Sequence, residues 1–85
     1  MRKLVEETNE TAWESLMGKT ITIFCLTYIY TGKLIGVNDT CVLLENPKIV
    51  YETGPFNASD WKDAQALPHE LFIQFACVES FGIVK

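Results

Sequence analysis

Thr20-Ile21-Thr22-Ile23-Phe24-Cys25 is followed, two residues later, by Tyr28-Ile29-Tyr30-Thr31-Gly32-Lys33-Leu34-Ile35-Gly36-Val37 and the turn Asn38-Asp39-Thr40. In the first run, Thr20, Thr22 and Phe24 alternate with Ile21, Ile23 and Cys25, the period-two pattern of a half-buried strand rich in β-branched residues. The second run predicts a longer strand, from about Tyr28 to Val37, broken by two isolated glycines. Glycine inside a strand marks a sharp bend or a close backbone approach, which a small barrel needs in order to curl. Asn38-Asp39-Thr40 is turn chemistry, and Cys41 to Glu45 predicts a third strand. Ile49 to Glu52, after Pro47, is either its continuation or its return.

On the N-terminal side the period changes to that of a helix, over about residues 10–17. Trp13, Leu16 and Met17 form an i, i+3, i+4 stripe, expected to lie across one open end of the barrel. Thr11 and Glu14 have capping-box spacing, and Gly18 suits the left-handed exit of a helix. On the C-terminal side, residues 53–69 predict an irregular insertion, opened by Gly54-Pro55, in which Ser59 could cap one helical turn. Leu71 to Val78 and Phe81 to Val84 predict two final strands. The expectation is one mostly β domain over residues 1–85: a five-stranded, strongly bent small barrel (about 19–52 and 70–84) with an N-terminal α-helix.

Composition narrows the function classes. With 85 residues and 48% hydrophobic side chains the chain can bury one core and is not disordered. A formal charge of −4 gives no global basic footprint for nucleic acid. The three cysteines, Cys25, Cys41 and Cys77, are widely spaced in apolar runs, which predicts buried, reduced thiols in a cytoplasmic setting. Glu6 and Glu7 directly follow Leu4 and Val5, so no signal peptide is expected, and no apolar run is long enough to span a membrane. With His69 as the single histidine, neither a metal site nor a cofactor is expected.

Leu16-Met17-Gly18-Lys19-Thr20-Ile21-Thr22-Ile23, Gly32-Lys33-Leu34-Ile35-Gly36-Val37-Asn38-Asp39 and Val42-Leu43-Leu44-Glu45-Asn46, with Phe72-Ile73-Gln74 through Val78 further on, resemble in order and spacing the Sm-like family. Its members include the eukaryotic Sm and Lsm proteins, bacterial Hfq, and archaeal and phage-encoded relatives. The resemblance covers about residues 10–50 and 70–84. It implies an Sm-type (SH3-like) barrel in a homo-oligomeric ring, expected here with five to seven subunits, that binds single-stranded, uridine-rich RNA. It places RNA contacts at Asn38, Asp39, Thr40 and Gln74. The chain departs from the family pattern at the residues that hold a base. Thr40 stands where the family has a stacking aromatic, and the base-reading asparagine falls on Val42 or a deleted position. Gln74 and Phe75 stand where the family has Arg-Gly. Stacking and cation–π contacts supply most single-strand affinity, so the resemblance implies weakened or altered RNA binding.

Phe72–Val78 of one subunit pairing with Phe81–Val84 of the next is the expected ring seam, because a short terminal strand leaves an edge that can template another chain. Phe72, Phe75, Val78, Phe81 and Ile83 are its candidate residues. Tyr28 and Tyr30 either stack on bases or pack across the sheet. Lys19 and Lys33 either meet phosphate or are solvated strand surface. Trp61, amid Asp60, Lys62 and Asp63, is either a partner anchor or a lid on the barrel. Pro68-His69-Glu70 reads as a loop entering a strand, since no nucleophile or orienting partner is spaced for catalysis. Two function classes therefore stand: a non-enzymatic ring associated with RNA, and a structural or protein-interaction ring without RNA, such as a phage-encoded assembly or host-interaction factor. No small-molecule substrate is expected for either.

Overall fold

The computed structural model describes residues 12–85. The chain runs α1 (Ala12–Ser15), β1 (Thr20–Cys25), β2 (Ile29–Val37), β3 (Cys41–Glu52), β4 (Asp63–Ala66), β5 (Leu71–Gln74), a 3₁₀ turn (Phe75–Cys77) and β6 (Val78–Gly82). All strand pairs are antiparallel. The order across the sheet is β4-β3-β2-β1-β6, and β5 lies on the same edge of β3 as β4, farther towards its start.

Two expectations need correction. Among the described residues there are six strands, not five, because Asp63–Ala66 of the supposedly irregular insertion pairs with the Lys48–Glu52 half of β3. The hydrogen-bonded ladder is also open. β5 and β6 end it on opposite sides, and the chain passes from one to the other through the 3₁₀ turn, so a covalent link stands where a ladder would close the barrel. That turn also divides the segment Leu71–Val78 that the apolar run predicts as one strand.

The bend of the sheet comes from bulges. Between Thr31↔Lys48 and Lys33↔Glu45 the register slips, with Gly32 facing Asn46 and Pro47. Asn46 takes φ +52°, a left-handed conformation that asparagine tolerates better than most residues. A side chain at Gly32 would stand 3.1 Å from the Glu45 carbonyl oxygen and 3.2 Å from Pro47 Cα. A side chain there would be tightly packed, and the facing backbone would have to give by a few tenths of an ångström. A second slip, at Ile35, lies beside Gly36, where a Cβ would make only ordinary contact with Leu43 at 3.5 Å. Pro47 is accommodated because the bulge has already interrupted the ladder, and β3 continues through it as one strand.

Ile21, Ile23, Leu34, Val42, Leu44 and Ile73 form the core, drawn from β1, β2, β3 and β5. Thr22 and Thr31, paired on the other face of β1 and β2, are buried too. The Thr31 hydroxyl donates to the Ile21 carbonyl oxygen at 2.9 Å, which offsets its desolvation. The strand expected to be half-buried is thus covered on both faces at its centre.

α1 ends at Ser15, short of the expected residue 17, with Leu16 and Met17 in the turn that follows, yet two of the three stripe residues cap the core. Trp13 and Leu16 pack against it, while Met17 is 40% exposed. Trp13 is sandwiched between Phe81 (centroids 3.5 Å apart, 9° between planes) and Phe75 (5.6 Å, 16°). It therefore clasps the 3₁₀ turn to β6 at the gap where the ladder is open. Gly18, at φ +82°, reverses the chain out of α1, and its N–H donates to the Leu34 carbonyl oxygen at 2.7 Å. The Thr11 half of the expected capping pair lies outside the described residues, as do residues 10 and 11 of the expected helix.

Candidate edge strands and turn groove

The turn between β2 and β3 is organised by one side chain. Asn38 Oδ1 accepts from the backbone N–H of Thr40 at 2.8 Å and of Cys41 at 2.9 Å, and from the Thr40 hydroxyl at 3.2 Å. This is the asparagine turn that the sequence predicts, where a side-chain oxygen replaces a backbone carbonyl. The acceptor that could read a base edge is therefore occupied by the chain's own turn. The Thr40 carbonyl in turn accepts from the Phe75 N–H at 2.9 Å, which fixes the start of the 3₁₀ turn against β3.

These bonds bring two of the four proposed RNA contacts together. Thr40 and Gln74 line one groove of about 560 Å³ with Cys41, Phe72, Phe75 and Ala76. Asn38 and Asp39 are exposed on the turn and are not part of its lining. The groove holds hydroxyl, amide and aromatic groups but no cation. Its most exposed ring is Phe72, 66% exposed. The alternation of β5 puts Phe72 and Gln74 on the face opposite Leu71 and Ile73, so period two alone could have grouped Phe72 with Gln74.

The five seam candidates divide into two classes. Phe72 and Ile83 are exposed, Ile83 at 59%. Phe75, Val78 and Phe81 are half-buried against the core. Among the described residues, β5 pairs only with β3 and β6 only with β1, so each has one edge without a strand beside it. The Val78 N–H donates to the Phe75 carbonyl oxygen inside the 3₁₀ turn.

Tyr28 meets both Tyr30 and Tyr51 edge to face, at 6.3 Å and 6.4 Å between centroids. Tyr28, just before β2, and Tyr51 keep about half of their surface exposed, at 50% and 52%. Burial raises the Tyr30 hydroxyl above its ordinary pKa, with Cys25 the next contributor. The expectation of three buried thiols needs correction at every position. Cys25 and Cys41 are half-buried free thiols, but Cys77 is exposed, because the 3₁₀ turn rotates it out of the strand pattern. Burial, then the nearby Cys77, raises the Cys25 thiol above its ordinary value.

Lys33 is exposed on β2, and Lys19 is exposed just before β1. His69 and Glu70 are exposed in an open groove with Pro47, Leu67 and Phe72. Among the described residues, no three His, Cys, Asp or Glu side chains are placed to share a metal ion, and no helix is long and apolar enough to cross a membrane. No protein-family model matches the chain, and no curated protein matches it.

Proposed function

We propose that this chain is a non-enzymatic subunit of a homo-oligomeric, Sm-like ring in which the free edge of β5 pairs with the free edge of β6 in the next copy. The observation that carries this reading is the position of those edges. They end the ladder on opposite sides and lie next to each other in the chain, so one rigid unit presents a donor edge and an acceptor edge. A head-to-tail contact of that kind closes into a ring when its rotation divides a full turn. Unpaired edges are otherwise a liability that a soluble chain has to cover. The bent β2, the glycine exit from α1 and the short final strand agree with the same architecture.

In this reading the groove lined by Thr40, Phe72 and Gln74 is where single-stranded RNA would touch the ring. With no cation in its lining and Asn38 Oδ1 occupied, it would bind oligouridine no tighter than about the micromolar, non-specific range at physiological salt. The occupied Asn38 oxygen also favours the second reading, a ring that acts through protein contacts alone.

Light scattering after gel filtration tests the assembly. Five to seven copies of the 9.6 kDa chain give roughly 48–67 kDa. Phe72→Glu and Ile83→Glu place charge at the exposed edges without touching the core and should lower that mass. A proline at Val78 is a poorer probe, since it also removes the bond to Phe75. A monomeric parent at micromolar concentration overturns the ring. Fluorescence anisotropy with labelled oligouridine separates the two classes. Micromolar, salt-sensitive binding supports the RNA reading, no binding supports the protein-contact ring, and nanomolar binding contradicts the account of the groove.

A further inference from the structure

The insertion between β3 and β4 is a constructed loop with a charged group in its centre. The Lys62 N–H donates to the Thr53 carbonyl oxygen at 3.4 Å, so the loop closes on itself, and the Glu52–Lys62 ion pair at 3.3 Å flanks the closure. The Ala58 N–H donates to the Pro55 carbonyl oxygen at 3.1 Å in the turn at its tip. Gly54 has φ +67°, and a Cβ there would stand 3.2 Å from Lys62 Cβ, so the loop needs glycine at that corner. No helical turn capped by Ser59 forms. Nor is Trp61 the barrel's lid, a place taken by Trp13. Trp61 instead meets Phe56 edge to face, with centroids 6.4 Å apart and planes at 88°.

Lys85 Nζ sits in the angle between those two rings. It lies 4.5 Å from the Trp61 centroid and 5.8 Å from that of Phe56. It donates to the carbonyl oxygens of Thr53, at 2.6 Å, and Asp60, at 2.9 Å. Two ring faces and two carbonyls converging on one nitrogen make a complete coordination set for a cation that carries N–H donors. The site opens onto a groove of about 340 Å³ that Lys33, Glu45 and Lys48 also line.

We propose that loop 53–62 is a receptor for a primary ammonium group, that Lys85 fills it in cis as a tethered ligand, and that an incoming ammonium, a partner protein's lysine side chain or a polyamine, competes with Lys85 for the cage. The carbonyls set the selectivity. A primary ammonium has three N–H donors, enough for both carbonyls, whereas a trimethylated ammonium has none and leaves both oxygens unpaired. A neutral side chain of equal length gains neither the carbonyls nor the rings. Lys85 is held at an effective concentration in about the millimolar range, so a free ligand meets strong competition in the wild type.

The test is an NMR titration of the two tryptophan indole N–H signals in the full chain. Lys85→Met empties the cage while keeping the aliphatic stem. In this variant, Nα-acetyl-lysine methylamide should shift the Trp61 signal saturably and leave that of Trp13 in place. Half-saturation should come at a concentration about tenfold lower than in the wild type. The Nε-trimethyl form should bind at least about tenfold more weakly, and the norleucine analogue should not shift the signal. Trp61→Leu added to Lys85→Met should abolish the effect, read on backbone amides of Thr53 and Asp60. Spermidine supplies the second arm. Saturation by spermidine at lower concentration than the lysine derivative assigns the cage to polyamines, and the reverse assigns it to a protein lysine. Trimethyl-lysine binding as tightly as lysine, or no saturable shift in a folded Lys85→Met protein, overturns the proposal. If Lys85→Met does not fold, the same comparison of lysine with trimethyl-lysine on the wild type decides it.

Discussion

Trp13→Ala tests whether the fold depends on an aromatic clasp across its open ladder. An 85-residue domain at about 0.05–0.15 kcal/mol per residue has roughly 4–13 kcal/mol of stability. Truncating a fully buried tryptophan costs about 3–5 kcal/mol. Trp13 is half-buried, but it loses two stacked partners, Phe75 and Phe81, each such pair worth about 0.5–1.5 kcal/mol beyond area. A net loss of about 2–3 kcal/mol is expected, and at about 4–8 °C per kcal/mol for a domain of this size Tm should fall by roughly 8–24 °C. Trp61→Ala is the matched control. Trp61 packs on Phe56 and Lys85 and not on the core, so its removal should cost less than about 1 kcal/mol, or under about 8 °C. The assay is thermal unfolding by circular dichroism at one fixed protein concentration, because self-association would itself move Tm. Trp13→Phe should fall between the parent and Trp13→Ala. Equal melting temperatures for Trp13→Ala and Trp61→Ala would refute the clasp.

Asn38→Ala removes the acceptor of two backbone N–H groups in the β2–β3 turn and should cost about 1 kcal/mol, while Asn38→Asp, which keeps the acceptor, should stay within about 0.5 kcal/mol of the parent; urea midpoints decide between them. Stability should also fall in alkali. The Cys25 thiol is raised above its ordinary 9.0 by burial and then Cys77, and the Tyr30 hydroxyl above 10.0 by burial and then Cys25. A group with a raised folded pKa binds its proton more tightly in the native state. Its contribution is therefore complete below the ordinary value and is lost as pH rises through the folded one. The urea midpoint should decline above about pH 9, and Cys25→Ala should flatten the first part of that decline. A midpoint that climbs over this range contradicts the burial of both groups.

What the sequence made legible was whatever depends on period and on local turn chemistry. Ile21 and Ile23 face the core as their alternation requires, Trp13 and Leu16 cap it as their spacing requires, and Gly18 turns the chain out of α1 with a positive φ. What stayed hidden depends on contacts made far along the chain. Asp63-Ala64-Gln65-Ala66 contains no β-branched or aromatic residue, so nothing local marks it as a strand, and β3 supplies its pairing. Phe75-Ala76-Cys77 has no glycine or proline to announce a break, and the hydrogen bond at its start is donated by the Phe75 N–H to the distant Thr40 carbonyl oxygen. Gly32 and Gly36 look alike in sequence. Only the approach of Glu45 and Pro47 makes the first the more tightly confined. Trp61 gives no hint of Lys85, its partner, and only the packed structure shows that it does not lie on the core while Trp13 does.

The same separation of local from distant causes bears on the proposed seam. Apolar character in β5, the 3₁₀ turn and β6 is a poor guide to which residues meet another chain, because the fold uses much of it first. Phe75 and Phe81 are stacked on Trp13, and Val78 is held against the core and bonded back to Phe75. What remains for a second copy is the backbone of the two free edges, with Phe72 and Ile83 as the exposed apolar side chains beside them. An interface built that way derives its register from main-chain pairing and has few side-chain anchors, so substitution at core-facing positions should act on folding first and on assembly only through it. The open ladder serves both roles on this view. Closing it in cis with a further run of hydrogen bonds would stabilise the monomer and remove the edges on which a ring depends.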